Sequence, residues 1–298
     1  MRNLTTEQAN PESAKIDQMT SFEVVRVINR EDAKVAAAVR RALPEIAEAV
    51  EVIAEAIAGG GRLFYVGAGT SGRLGILDAV ECVPTFSVSP DLVQGLIAGG
   101  EPAVTRSIEG AEDRPELARR DLAKRGLAKA DVVCGIAASG RTPYVIGGLE
   151  YAKSLGAKTI AIACNVDAPI GAQADISIGV DVGPEVIAGS TRMKAGTAQK
   201  MILNMLSSGA MIRLGKVYGN LMVDVKVSNQ KLAERACRLV MRLTGADAEH
   251  ARALLARANN EVKAAVVMAR TGVEYEEASQ MLMSADGKLR AVIGNVTD

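Results

Sequence analysis

Tryptophan is absent from the 298 residues, aromatics make up 3%, and the formal net charge is zero. The chain therefore lacks both the stacking platforms and the basic footprint by which nucleic acids are held. There is one histidine, His250, in a helical pattern near the C-terminus, which argues against histidine-based catalysis and against a multi-histidine metal site. The four cysteines, Cys82, Cys134, Cys164 and Cys237, are scattered without the close spacings of zinc or redox motifs. Cys134 and Cys164 fall in apolar strand-like runs and read as reduced core thiols. No apolar run approaches the roughly 20 residues of a membrane span, and Met1–Glu7 lacks the charged-then-apolar order of a signal peptide. The expected location is the cytoplasm, with no membrane and no nucleic-acid partner. Acid–base chemistry is left to carboxylates, Lys, Tyr or Cys.

What is present is a chain 48% hydrophobic, long enough for one large core with helical attachments. Ser21–Ala58 reads as helices, with a new start marked by Pro44, and Gly59-Gly60-Gly61 ends that arm. Short apolar runs then alternate with helical stretches: Arg62–Val66 before a helix from about Arg73, and Asp131–Ala137 before a helix after Pro143. Lys158–Ala163 and Asp175–Val180 continue as strands, and Met193–Arg213 reads as a long apolar helix. This alternation implies an α/β fold with a parallel sheet sandwiched between helices. Beyond Leu221 the strand signals fade, leaving helices over Ser228–Leu243, Asp247–Ala256, Asn259–Ala269 and Glu274–Met283. The expected organisation is an N-terminal helical arm over 1–56, an α/β domain over 57–225 and a small C-terminal helical domain over 226–298.

In open parallel sheets ligands gather at the carboxyl ends of the strands. Two loops there share a composition: Gly67-Ala68-Gly69-Thr70-Ser71-Gly72-Arg73 and Ala138-Ser139-Gly140-Arg141-Thr142-Pro143. Glycine lets the backbone approach a ligand, hydroxyls hydrogen-bond phosphate oxygens, and the following helix supplies free N–H groups. Gly69, Thr70, Ser71, Gly72, Ser139, Gly140, Arg141 and Thr142 are the candidate phosphate-binding residues. Ser139 and Thr142, taken singly, could equally cap a helix. Gly67, Gly69 and Gly72 also satisfy the dinucleotide fingerprint, with Asp91 near the place of a ribose-binding acid, so a nicotinamide-dependent oxidoreductase is the competing reading. The second hydroxyl loop has no role in that fingerprint, and loop chemistry favours a sugar phosphate. A third segment, Gly183–Lys194, enters the long helix and adds Glu185, Ser190, Thr191 and Lys194. Ser190 or Thr191 could cap that helix, and Lys194 could face either the site or solvent.

The run GPEVIAGSTRMKAGTAQK (Gly183–Lys200), with GAGTSGR (Gly67–Arg73) and ASGRTPY (Ala138–Tyr144), closely resembles the N-acetylmuramic acid 6-phosphate etherases. LTTEQANPESAKID (Leu4–Asp17), LDAVECVPTF (Leu77–Phe86), IEGAED (Ile108–Asp113) and GNLMVDV (Gly219–Val225) look like the same family, so the likeness covers nearly the whole chain. One departure is Val83, where the family pattern usually has a second proline beside Pro84.

The resemblance implies a sugar isomerase (SIS) fold of the doubly wound type and a homodimer. It implies cleavage of the D-lactyl ether of N-acetylmuramic acid 6-phosphate to N-acetylglucosamine 6-phosphate and D-lactate, in cell-wall sugar recycling. The family's two acid–base carboxylates carry over onto Glu81 and Glu112. An unactivated ether resists hydrolysis, but the C1 aldehyde of the open-chain sugar acidifies the C2 proton, so lactate can leave C3 by elimination before water adds back. Carboxylates suffice for such proton transfers, and no metal or organic cofactor is required. Without the resemblance, Glu81 reads as a solvent-facing helix residue and Glu112 as a first-turn acid of the next helix, with Glu109 and Glu185 as alternative carboxylates. A non-catalytic sugar-phosphate-sensing regulator is the remaining alternative. An unbroken helix after Gly72 would carry Glu81 far from the loop, so either that helix ends early or Glu81 serves a neighbouring subunit.

Overall fold

The computed structural model describes residues 4–225, 227 and 229–295. The expected helix start at Ser228 lies outside the described residues, as do residues 1–3 of the Met1–Glu7 segment. The chain divides into two compact units: Met1–Val80 with Pro90–Ser207, and Glu81–Ser89 with Ser208–Asp298.

In the first unit, α1 (Ser21–Asp32), α2 (Val35–Arg40) and α3 (Leu43–Ala58) precede a sheet of five parallel strands. These are β1 (Leu63–Gly67), β2 (Val93–Ile97), β3 (Val132–Ala137), β4 (Lys158–Ala163) and β5 (Ile176–Gly179), in the spatial order β2-β1-β3-β4-β5. Between them run α4 (Gly69–Phe86), α5 (Pro102–Thr105), α6 (Pro115–Lys124), α7 (Pro143–Ser154) and α8 (Pro169–Ala172), and α9 (Lys194–Arg213) follows β5. Strands β1 and β3 are buried along their whole length, as continuous apolar runs covered on both faces should be. On one face Phe64, Val66 and Val133 pack with Ala118 and Leu122 of α6 and with Val145 and Leu149 of α7. On the other, α4 comes so close that a Cβ on Gly75 would stand 2.8 Å from Tyr65 Cβ.

The helices α1–α3 fall within the first unit. Helix α1 opens on a capping box between Thr20 and Glu23, and α3 packs on β5 and β3. Two elements differ from expectation. Helix α4 begins at Gly69, inside the glycine loop and four residues before Arg73. Strand β2 was not anticipated, because Gln94 and Gly95 interrupt its apolar run.

The second unit contains α10 (Gln230–Thr244), α11 (Ala248–Arg257), α12 (Val262–Thr271), α13 (Tyr275–Ser284) and α14 (Leu289–Ile293). Asn229 and Asp247 cap α10 and α11, Gly245 ends α10 in the left-handed region, and Val240, Leu243, Ala251, Val262 and Ala264–Val267 form the core. The division falls inside α4 and α9. Among the described residues no helix is long and apolar enough to cross a membrane.

Candidate active site

The strand order reverses direction between β1 and β3, and in sheets of this order the crevice for a ligand opens at the carboxyl ends of those two strands. The register pairs Gly67, the last residue of β1, with Ile136. The two glycine-hydroxyl loops therefore leave the sheet side by side.

In the first loop, a Cβ on Gly67 would meet Gly72 N at 2.6 Å, so the turn closes only with glycine. Ser71 is buried, and its hydroxyl donates to Gln199 Oε1 of α9 at 3.0 Å. In the second loop, Gly140 has φ +69°, and a Cβ there would lie 2.1 Å from Ala168 Cβ. Ser139 Oγ accepts from Arg141 N, whereas Thr142 makes no side-chain capping bond to α7, which disposes of the capping alternative for Thr142. Asn165, just past β4, holds this loop from behind: its Nδ2 donates to Ala138 O at 3.1 Å and its Oδ1 accepts from Thr5 N at 3.0 Å.

Glu112 comes to the second loop through its backbone, its carbonyl accepting from Tyr144 N at 2.9 Å in the first turn of α7. Its exposed side chain borders a cavity of 210 Å³ that also takes in Gly69, Arg73, Arg106, Ser107 and Glu109. Sites drawn from separate sequence segments thus meet at one end of the sheet.

The third segment behaves differently from the other two. Two first-turn amides of α9, Lys194 N and Ala195 N, donate to the fully buried Glu185 carboxylate at 2.9 Å, so Glu185 is the cap in place of Ser190 or Thr191. Burial raises the Glu185 carboxyl above its ordinary range against those two hydrogen bonds. Lys194 faces neither the site cavity nor solvent: its side chain is 1% exposed and its Nζ donates to Glu31 Oε2 at 2.7 Å. Burial alone would raise Glu31, but hydrogen bonds from Lys194, Lys34 and Asn10 hold it down at about 2. Ser190 and Thr191 are half-buried, and Gly196 packs against Thr70, bringing this segment beside the first loop.

Glu81 falls in the second unit. Helix α4 continues to Phe86 through Pro84, excluding the early end, and Glu81 lies exposed twelve residues beyond Gly69, roughly 18 Å along the axis. Asp91 sits just ahead of Val93, at the start of β2, whereas the Gly67 loop lies at the strands' carboxyl ends. A ribose-binding acid belongs at the other end, so the dinucleotide reading loses its second element.

Sequence reasoning missed Gln199, Asn165, Glu31 and Asp78. Buried Asp78 accepts from Tyr65 Oη, Asn204 Nδ2 and Ser207 Oγ, and its burial pushes its carboxyl up. The available signal was polar residues at apolar positions of a helix or immediately after a strand.

Residues 45–153 match the glucokinase regulatory protein N-terminal SIS domain, 118–208 the SIS domain, and 219–265 the C-terminal lid domain of glucokinase regulatory protein. A curated N-acetylmuramic acid 6-phosphate etherase of Lactobacillus gasseri is 57% identical over 90% of this chain and 90% of its own. That of Rhodopirellula baltica is 55% identical over 90% and 88%, and that of Clostridium beijerinckii 54% over 89% and 88%. The chain belongs to the N-acetylmuramic acid 6-phosphate etherase family. The chain shares its fold with a putative phosphosugar isomerase involved in capsule formation from Bacteroides fragilis (20% identity, TM-score 0.50, 72% of this chain and 97% of that one). It shares it also with a phosphoheptose isomerase from Francisella tularensis (16%, TM-score 0.50, 65% and 100%). The SIS matches cover the sheet, and the lid-domain match covers the first part of the helical region that follows it.

Proposed function

We propose that this chain cleaves the D-lactyl ether of N-acetylmuramic acid 6-phosphate, giving N-acetylglucosamine 6-phosphate and D-lactate, as a homodimer in the cytoplasm. The observation that carries the reading is identity of 54–57% to etherases along about nine-tenths of the chain. That extent of likeness to enzymes favours a catalyst over a sugar-phosphate sensor.

Ser139, Gly140, Arg141 and Thr142 hold the phosphate at the start of α7, where backbone N–H groups and the helix dipole favour an anion. The Thr142 hydroxyl, which makes no capping bond to α7, supports that role. Gly69, Thr70, Ser71 and Gly72 hold the sugar body beside it. Glu185 and Lys194 act at one remove, fixing the start of α9 against Thr70. Glu112 and Glu81 share the acid–base work: proton abstraction at C2, protonation of the departing lactyl oxygen, and activation of the water that adds at C3. A glutamic acid that donates near neutral pH needs its proton held by burial or a nearby negative charge, and the bound phosphate supplies one such charge.

Glu81 serves the partner subunit's site. The unbroken course of α4 supports this, as do exposed apolar Leu77 and Val80 (52% and 60%) beside Glu81 on that helix.

The test is release of D-lactate from N-acetylmuramic acid 6-phosphate and not from the unphosphorylated sugar. Turnover in deuterium oxide should place deuterium at C2, and oxygen-18 water should label the C3 hydroxyl. Release from neither sugar ends the etherase reading; oxygen-18 found only in lactate ends the elimination route.

A further inference from the structure

The substrate carries two anions, whereas the sugar product retains only the phosphate. A site that distinguishes them must recognise the lactyl carboxylate. The cavity beside Glu112 already contains two acids, Glu109 and Glu112, and two guanidinium groups, Arg73 and Arg106. A carboxylate entering it meets like charge unless a cation with spare donors faces it.

The two arginines differ in what they have to spare. Arg73 is half-buried and committed: its Nε donates to Val104 O at 2.9 Å and its Nη2 to Arg106 O at 3.0 Å. Those bonds, with Arg106 N donating to Pro102 O at 3.1 Å, fix the backbone of Arg106. The Arg106 side chain is exposed, and its guanidinium has no hydrogen-bond or ion-pair partner among the described residues. A charged fork on an anchored backbone, bordering the same cavity as Gly69 and Glu112, matches the geometry of a carboxylate.

Resting on the etherase reading, we propose that Arg106 binds the D-lactyl carboxylate of the substrate and is the residue that separates the muramic acid sugar from its glucosamine product. The phosphate is held at the loop before α7, the C2–C3 region lies by Glu112, and the lactyl group extends to Arg106. Arg73 is the positioning residue that holds the Arg106 backbone in place.

The experiment compares wild type with R106Q and R106K. It measures KM for N-acetylmuramic acid 6-phosphate and the inhibition constant of N-acetylglucosamine 6-phosphate against D-lactate release. Loss of a charge-assisted pair should raise KM about 10- to 100-fold in R106Q, with partial recovery in R106K. The inhibition constant should stay within about twofold, since this ligand has no carboxylate. A substrate whose lactyl carboxylate is converted to the amide should be turned over equally by wild type and R106Q. An inhibition constant that rises together with KM overturns the proposal and assigns Arg106 to the phosphate or sugar; an unchanged KM overturns it as well. Wild type that releases no D-lactate removes the etherase reading and this inference with it, a result distinct from either of those.

Discussion

Replacing Lys194 by methionine isolates the buried charge cluster between α1 and α9. Lys194 Nζ lies 2.7 Å from Glu31 Oε2, and the two side chains are 1% and 2% exposed. Removing the ammonium strands a carboxylate whose other partners are Asn10 and the largely exposed Lys34. Breaking one half of such a pair costs about 3–5 kcal/mol. At about 2–4 °C per kcal/mol for a unit of this size, the melting temperature should fall by about 6–20 °C. Far-ultraviolet circular dichroism is the suitable probe, because the chain has no tryptophan. Combining K194M with E31L should restore stability to within about 2 kcal/mol of wild type, since an apolar pair of similar volume carries no desolvation penalty. The same cluster sets an acid limit. With Glu31 at about 2 in the folded protein against an ordinary 4.5, its stabilisation is fully present above pH 4.5 and is lost as pH falls through 2. The difference is worth about 3 kcal/mol, and E31Q should flatten that part of the profile. A K194M protein that melts within 2 °C of wild type while its KM rises would refute the structural assignment and return Lys194 to the substrate.

Gly140→Ala should abolish D-lactate release and lower stability by about 2 kcal/mol or more, because the residue needs positive φ and its Cβ would overlap Ala168; an active, stable variant would contradict this account of the second loop. Hybrid dimers refolded from inactive E81A and inactive S71D chains should regain activity if sites are shared between subunits. Hybrids that assemble and stay inactive would place Glu81 and the first loop of each site on one chain.

Strands β1 and β3 were legible because strands buried on both faces are written as uninterrupted apolar runs. Strand β2 was hidden by Gly95, yet the same residue explains why the strand can exist there: a Cβ at that position would meet Ile76 Cα at 2.6 Å. Local spacing could identify two glycine-hydroxyl loops, and their adjacency follows from the strand order. It could not show that Lys194 turns inward, because its partner Glu31 is 163 positions away in sequence. Nor could it separate Thr142 from an ordinary helix cap, a distinction that rests on one absent hydrogen bond.

The bond from Thr5 N to Asn165 joins residues 160 positions apart. During synthesis, the first described residues leave the ribosome long before strand β4 exists to receive them. At about 5–20 residues per second, roughly 8–30 s pass with that segment undocked. The backing of the second loop is thus completed late, by a latch whose two halves are made at different times. Disturbing Thr5 should therefore be felt at the start of α7, however far away it looks along the chain.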